Sequence, residues 1–470
     1  MRRQAERLSI TASSFTSIYA NPSSSLFGTS ISGGAFRFRI HANLMPLKCL
    51  SKGSEICPWV TSPTLPRLGS IRDHAKMRDI SEVTYIGRLN FRNDRRRFGI
   101  RQADRLFHTY LIGKTGTGKT TLLETLIRQD IEAGRGVALV DPHGDLVERV
   151  AAVVPERRRA DLRYLNAPNP EQPFGYNPLK RVQANAISLA ASGLMEAFKK
   201  HWSDAWGVRM EHVLRNALYA LIEYGDATLS DVSRILIDKK FRRAVTAKVT
   251  NEPVRDFWRK EFEEYSFRYR ADTVAPIQNK VGALLADPMM RRILTAPIEP
   301  LRFRSMMDRG EILLVNLARG QIGEDSASLL GSLLVTTIGL AGFSRANVSE
   351  DQRPDFHLYL DEFQNFTTLS VATMVSELRK YHVALTLANQ HLSQLEPDVR
   401  DAVLGNVGSL IAFRVGPQDA ALLSREFAER FMPTDLMTLP NHCIYLRLMI
   451  DGAPSKPFSA ITELPGRSSV

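Results

Sequence analysis

The sequence has 470 residues, of which 44% are hydrophobic and 24% charged, and it contains three cysteines. This composition excludes a disordered or fibrous chain, a disulfide framework and a zinc site built from cysteines, and it indicates two or three domains in a reducing compartment. Lysine and arginine exceed aspartate and glutamate by 62 to 50, a net charge of +12. Residues 1–110 hold 18 of those basic residues and only 7 of the acids, so the body of the chain is nearly neutral.

The first 79 residues are rich in serine and arginine, poor in acids, and show no sustained helical or strand period. We predict a disordered or atypical extension there. Two alternatives stay open, because a transit peptide has the same composition and because translation could begin at Met77. The longest apolar stretch, 329–343, is shorter than the roughly 18–20 residues of a membrane span. We therefore expect no transmembrane segment and a cytoplasmic protein, with partners as its route to the inner membrane.

Regular patterns begin near residue 80. Residues 83–92 and 108–112 predict strands, a glycine-rich loop follows, and 122–133 has the apolar spacing of a helix. Gly134 lies where helices commonly end, and 137–140 reads as a buried strand. A strand, a loop, a helix and a strand in this order indicate the α/β class, with a parallel sheet covered by helices on both faces.

Residues 183–300 interrupt this alternation with patterns that are almost wholly helical, such as the apolar steps of three and one over 210–222. Alternation then resumes with predicted strands at 312–317, 356–360, 383–388 and 410–415, predicted helices at 326–343 and 368–380, and a closing hairpin over 443–462 that turns at Asp451-Gly452. The predicted domains are an extension at 1–79, an α/β domain in two parts, 80–182 and 301–470, and an inserted all-α domain at 183–300.

The glycine-rich loop matches the pattern GxxxxGK[ST]. In such a loop the backbone amides converge on a phosphate, Lys119 reaches the β- and γ-phosphates, and the Thr120 hydroxyl binds Mg²⁺. The alternative is a chance glycine turn, but a strand precedes the loop and a helix follows it. The predicted ligands are ATP and Mg²⁺. The predicted nucleotide-binding residues are Gly113, Thr115, Gly116, Thr117, Gly118, Lys119, Thr120 and Thr121.

Two acids end the strand predicted at 356–360. Asp361 would hold Mg²⁺ through water, and Glu362 would deprotonate the attacking water, which indicates hydrolysis; an exposed acidic strand end is the alternative. Gln390 ends the next strand and could sense the γ-phosphate or position the attacking water, although a polar residue is also ordinary after a strand. Arg379 lies near a helix end, where an arginine is either solvated or, in a ring of subunits, an arginine finger. The turn at 141–145 either lines the nucleotide site or is simply tight.

Together these residues resemble the HerA–FtsK superfamily of ring ATPases, and most of all the type IV secretion coupling proteins and their soluble conjugative-transfer relatives. The resemblance lies within residues 83–462, and it is carried by HTYLIGKTGTGKTTLLETL, GVALVDPHGDL, ILLVNL with the Gly320 turn and an apolar helix, LYLDEFQNF and LRKYHVALTLANQ. It implies a RecA-like P-loop domain in a hexamer that moves DNA through a central channel. The roles it implies fall on Lys119, Thr120, Asp361, Glu362, Gln390 as sensor and Arg379 as trans-acting arginine.

The expected function is therefore an ATP-hydrolysing, hexameric DNA translocase. Its expected partners are DNA, further copies of itself, and a relaxosome, a secretion channel or a nuclease. Membrane-bound coupling proteins carry N-terminal transmembrane helices, and this sequence shows none, which favours the soluble relatives. Two alternatives stay open: a motor that acts on a protein or relaxosome, and an ATP-dependent switch or scaffold.

Overall fold

The computed structural model describes residues 82–91, 94–180, 182–295 and 297–466. The predictions for residues 1–79, including a start at Met77, lie outside these ranges. The strands are β1 (Val83–Leu89), β2 (Arg97–Arg101), β3 (Thr109–Ile112), β4 (Gly136–Asp141), β5 (Leu162–Asn166), β6 (Phe174–Gly175), β7 (Glu299–Pro300), β8 (Ile312–Asn316), β9 (Phe356–Leu360), β10 (Val383–Asn389), β11 (Ser409–Ala412), β12 (Cys443–Arg447), β13 (Met449–Ile450), β14 (Ala453–Pro454) and β15 (Phe458–Thr462).

Helices fill most of the intervening chain. They are α1 (Gln102–Arg105), α2 (Lys119–Glu132), α3 (Asp145–Ala152), α4 (Ile187–His201), α5 (Val208–Tyr224), α6 (Ser230–Ile237), α7 (Lys239–Lys248), α8 (Glu252–Asp256), α9 (Phe262–Glu264), α10 (Phe267–Ala286), α11 (Pro288–Thr295), α12 (Phe303–Arg309), α13 (Arg319–Ile322), α14 (Glu324–Phe343), α15 (Leu369–Glu377), α16 (Pro397–Asn406), α17 (Pro417–Glu426) and α18 (Pro433–Thr438). A π-helical segment, Phe257–Glu261, joins α8 to α9.

Eleven strands form one twisted sheet in the order β2-β1-β15-β12-β11-β3-β10-β9-β4-β8-β5. From β11 to β5 all neighbours are parallel, whereas β12, β15, β1 and β2 continue the sheet as antiparallel strands. Within β1 and β15, Gly87 faces Thr462. The mostly parallel sheet confirms the predicted fold class.

Helices cover the sheet on both faces, as the strand sequences require. In β3, Tyr110 and Ile112 belong to one core with α4, α5 and α14, and Leu111 belongs to a second core with α2 and α3. Because successive side chains of a strand point to opposite faces, a strand that is apolar at every position is buried on both. β4 and β9 are likewise buried throughout.

The helices α4 to α11 lie between β6 and β7, which pair with each other in parallel. They do not form a separate core, since residues of α4 and α5 share one hydrophobic cluster with the sheet and α14. α14 packs directly along α4. Among the described residues one helix, Glu324–Asn347, is long and apolar enough by composition to cross a membrane, but 67% of its apolar window is buried inside the fold.

Most of the predicted elements are confirmed, with shifts of a few residues at their ends. α2 begins at Lys119, directly after Gly118 with φ 117°, and α5 ends directly before Gly225 with φ 91°. The predicted hairpin is present, and both residues of its turn, Asp451 and Gly452, have positive φ. The helix predicted at 368–380 is wrong at its end, because α15 stops at Glu377 and a 3₁₀ turn, Leu378–Tyr381, follows.

Candidate active site

The predicted site residues follow the carboxyl ends of neighbouring parallel strands. Asn389 at the end of β10 pairs with Ile112 at the end of β3, and Leu360 of β9 pairs with both Leu387 of β10 and Val140 of β4. The segments that begin after these strands therefore emerge at one edge of the sheet, where open parallel sheets bind their ligands. The glycine-rich loop, Asp361-Glu362, Gln390 and Asp141 all meet at this edge.

Lys119 stands at the base of the glycine-rich loop and is only 5% exposed. Its Nζ donates to the carbonyl oxygen of Gly113 at 2.6 Å and of Lys114 at 3.4 Å. Burial lowers the pKa of Lys119, while the charges of Glu362 and Asp361 oppose that change. The ammonium is therefore held beside two acids and the loop backbone, a suitable place to attract phosphate oxygens.

The remaining loop residues form its walls and its tip. The Thr117 hydroxyl donates to the carbonyl oxygen of Lys114 at 2.7 Å, which closes the loop on itself. Thr115 and Gly116 form the exposed tip, and Gly116 has φ 75°, a conformation that favours glycine. Thr121 lies one residue beyond Thr120 in the first turn of α2 and is half-buried.

The Thr120 hydroxyl lies 3.5 Å from Oδ2 of Asp361. Asp361 is 4% exposed, and burial raises its pKa to about 7, with the charges of Asp141 and Glu362 adding to the effect and Lys119 opposing it. A hydroxyl and a carboxylate are oxygen ligands of the kind that Mg²⁺ takes from proteins. Crowded acids also fit a divalent cation, so the residues present suit the predicted Mg²⁺. In the part of the chain that the structure describes, no cluster of three His, Cys, Asp or Glu forms a separate metal site.

Glu362 follows the strand in the left-handed region, with φ 46°. Its side chain is 6% exposed and accepts two amide hydrogen bonds, one from Nε2 of Gln390 at 2.8 Å and one from Nε2 of Gln364 at 2.8 Å. The Gln390 carbonyl in turn accepts from the Thr115 hydroxyl at 2.8 Å. Gln390 thus links the tip of the phosphate loop to Glu362, and its role as a sensor of the γ-phosphate stays a prediction. Sequence reasoning missed Gln364, although it stands two residues after the acidic pair.

Asp141 serves two purposes that the sequence left as alternatives. Its carboxylate accepts from the backbone amides of His143 (2.8 Å), Leu146 (2.9 Å) and Val147 (3.2 Å), so it caps the start of α3. It is also 1% exposed and near enough to Asp361 to raise that residue's pKa. The turn at 141–145 is therefore held by the hydrogen bonds of Asp141, and the same carboxylate adds negative charge to the site.

Arg379 lies away from this edge. It sits in the 3₁₀ turn before β10, so the seven residues of that strand, about 23 Å, separate it from the site of its own chain. The side chain is exposed, and its guanidinium stacks over the Phe107 ring at 3.3 Å from the ring centre. Arg379 contributes nothing to the site of its own subunit, and a role in hydrolysis requires that it reach the site of another copy.

Two family models match the sequence. Residues 100–277 match the type IV secretion-system coupling protein DNA-binding domain, and residues 355–431 match the TraM recognition site of TraD and TraG. Among curated proteins none matches.

Several solved structures share the fold. The conjugative coupling protein TrwBdeltaN70 is 16% identical, with a TM-score of 0.58 over 83% of this chain and 92% of that one. TrwB in complex with ADP and Mg²⁺ is 17% identical, with a TM-score of 0.55 over 78% and 88%. VirB4 of Thermoanaerobacter pseudethanolicus is 14% identical, with a TM-score of 0.58 over 83% and 98%.

The sheet, the phosphate loop and the acidic pair together form a P-loop nucleotide-binding fold. The two family models match separate parts of the chain, and with the shared fold they confirm that the chain resembles the type IV secretion coupling proteins.

Proposed function

We propose that this chain is an ATP-hydrolysing motor that moves DNA, assembled as a ring of identical subunits. The observation that carries the proposal is the joining of Lys119, Thr120-Asp361 and Glu362-Gln390 at one sheet edge, in a chain whose residues 100–277 match a DNA-binding domain of coupling proteins. The solved coupling protein in complex with ADP and Mg²⁺ has the same fold, which supports an adenine nucleotide and Mg²⁺ as the ligands of this site.

Each residue at the edge has a distinct task in this proposal. The loop amides and Lys119 hold the β- and γ-phosphates, while Thr120 and Asp361 hold Mg²⁺, which neutralises phosphate charge when it is bound. Glu362 accepts the proton of the attacking water. Gln390 reports the presence of the γ-phosphate to Glu362, because it contacts both Glu362 and the loop tip.

The organisation predicted from the sequence extends the proposal to domains and partners. Residues 80–182 and 301–470 supply the ATPase domain, and residues 183–300 form the inserted all-α domain, which shares its hydrophobic core with the ATPase domain. DNA is the substrate, and the match of residues 355–431 to a TraM recognition site favours a relaxosome contact over a nuclease. The motor works in the cytoplasm and reaches a membrane channel through such partners.

The first test replaces the proposed base. Glu362→Gln should bind ATP and assemble like wild type while its turnover falls by about 10²–10⁴-fold, the usual contribution of a general base. Turnover at the wild-type rate would remove Glu362 from this role. ATPase rates measured with and without single- and double-stranded DNA then address the substrate. Absence of stimulation would favour the protein-substrate or switch alternatives.

The second test concerns Arg379 as an arginine finger acting between subunits. Arg379→Ala should lose turnover by about 10³-fold or more and keep ATP binding. Lys380→Ala, at the next exposed position, is the matched control. Mixing Arg379→Ala with Glu362→Gln should restore activity, because some intact sites of the first variant then face an intact arginine of the second. Two inactive variants that stay inactive when mixed would contradict the assignment.

A further inference from the structure

A lysine of the helical insertion reaches the turn that follows Glu362. Lys200, near the end of α4, is half-buried, and its Nζ donates to the carbonyl oxygens of Thr367 at 2.7 Å, Gln364 at 3.0 Å and Asn365 at 3.5 Å. It also contacts the Thr367 hydroxyl at 3.4 Å. One ammonium thus gathers carbonyl groups of a single turn from a helix 164 residues away in sequence.

Removing an ammonium from water is costly, and a lysine that only fills space would turn its charge to solvent. The hydrogen bonds of Lys200 go instead to backbone oxygens of the turn. Burial lowers its pKa to about 8, while the charge of Glu396 favours the protonated form. The cost of desolvating the ammonium is therefore offset by hydrogen bonds that hold the turn at residues 364–367.

The turn holds Glu362 by both its side chain and its backbone carbonyl. Gln364, whose carbonyl accepts from Lys200, donates its own amide to Oε2 of Glu362 at 2.8 Å. Asn365, whose backbone carbonyl also faces Lys200, donates its side-chain amide to the backbone carbonyl of Glu362 at 3.0 Å. Two hydrogen-bonded routes of one residue each therefore connect the ammonium to Glu362.

Further contacts join this turn, and the start of α15 directly after it, to the helices around them. Glu196, one turn before Lys200 in α4, accepts from the amide and hydroxyl of Ser370 at 2.7 and 3.0 Å. Ser328 of α14 donates to the Asn365 carbonyl at 2.7 Å. α4 itself lies close against α14, because Gly193 leaves room for Thr336. The turn is therefore attached to two helices, α4 and α14, that pack closely against each other.

We infer that Lys200 is a positioning residue for hydrolysis, which fixes Glu362 through Gln364 and Asn365 and so ties the helical insertion to the chemical step. The inference rests on the proposed role of Glu362 as the base. Positioning of this kind acts on the transition state more than on the bound nucleotide, so its loss lowers kcat and leaves KM for ATP in place.

The test compares Lys200→Met with Lys199→Met. Methionine keeps most of the length of the side chain without its charge. The adjacent Lys199 is a suitable control because it is 62% exposed and its ammonium lies 4.0 Å from the Glu211 carboxylate, a weak contact. Lys200→Met should reduce kcat at least tenfold, with and without DNA, and leave KM and the unfolding temperature within the range of the control. Lys200→Arg, which keeps the charge, should recover part of the rate. A wild-type kcat in Lys200→Met would overturn the inference.

Two further variants separate the possible failures. Gln364→Ala removes one of the two routes and should lower kcat. In the double variant with Lys200→Met, the loss of kcat should be smaller than the sum of the two single losses, because both substitutions break the same route. If Lys200→Met does not fold, a wild-type kcat in Gln364→Ala overturns the inference. Glu362→Gln serves as reference. If Glu362→Gln retains turnover, the proposed base is wrong. If it is inactive and Lys200→Met is fully active, only the positioning role is wrong.

Discussion

Helix α14 makes a close contact that a single methyl group should disrupt. At Gly331 an added Cβ would overlap the ring of Phe366 and stand 3.0 Å from Cδ1 of Leu317. Phe366 is 1% exposed and belongs to the turn after Glu362, so its ring has little room to withdraw. At Gly282 in α10, by contrast, an added Cβ would meet nothing within 4 Å.

The two positions form a matched pair for Gly→Ala substitution. Both substitutions gain about 1 kcal/mol from the higher helix propensity of alanine. Gly331→Ala also incurs an overpacking cost of about 1–3 kcal/mol, so the difference between the two variants isolates the steric effect. We expect Gly282→Ala to be stabilised by about 1 kcal/mol and Gly331→Ala to be destabilised by up to about 2 kcal/mol.

Urea unfolding followed by circular dichroism measures this difference as a shift in midpoint at constant slope. Turnover gives a second readout, because displacement of Phe366 should lower kcat in Gly331→Ala and leave it unchanged in Gly282→Ala. Equal urea midpoints for the two variants would refute the reasoning, because α14 would then accommodate a methyl group at Gly331 without steric overlap.

Three other predictions concern stability and binding. His108 is 1% exposed, and burial lowers its pKa to about 4 from about 6.5, so it stays neutral in the fold while the unfolded chain takes up a proton below pH 6.5. The free energy of unfolding should therefore fall by about 3 kcal/mol as pH falls from 6.5 to 4. The unfolding midpoint of His108→Asn should vary less over that range, and an identical pH dependence would contradict this. Asp130→Asn leaves the buried guanidinium of Arg105 without its bidentate carboxylate and should lower the free energy of unfolding in urea by about 3–5 kcal/mol. Asp94→Asn, which breaks an exposed ion pair, should lower it by less than about 1 kcal/mol. Similar losses in the two variants would count against the role of burial. Gly118→Ala forces a Cβ to within 2.8 Å of an imidazole nitrogen at φ 117° and should abolish binding of a fluorescent ATP analogue, so retained affinity would show that the loop tolerates a side chain there.

The phosphate loop and the acidic pair could be predicted from the sequence because both are local patterns with a strict order. An apolar strand, a glycine-rich turn and a helix follow one another within 25 residues, and β9 leads directly into Asp361. β5 was missed for the opposite reason. It is an edge strand whose residues are mostly half-buried, so its apolar signal is weak.

The partners of Glu362 lay beyond sequence reasoning because they come from distant segments. Lys200 looks like one more lysine at a helix end, where a basic residue usually serves the helix dipole, and only the packing of α4 against α14 brings it to the turn. The position of Arg379 has a similar cause. The seven residues of β10 lie between Arg379 and Gln390, so Gln390 is in the site at one edge of the sheet and Arg379 is at the opposite edge. The eleven-residue separation in sequence does not reveal this distance.

The pairing of β1 with β15 has a consequence for how the chain can be rearranged. Because these strands are antiparallel and Gly87 faces Thr462, the first and last described residues, Glu82 and Gly466, leave the sheet on the same side from adjacent strands. A short glycine-serine linker could therefore join them, and new ends could open at exposed Gly207, where an added Cβ would meet nothing within 4 Å. Such a circular permutant would begin and end within the helical insertion, so that a reporter fused there would sit on the part of the molecule that Lys200 connects to Glu362.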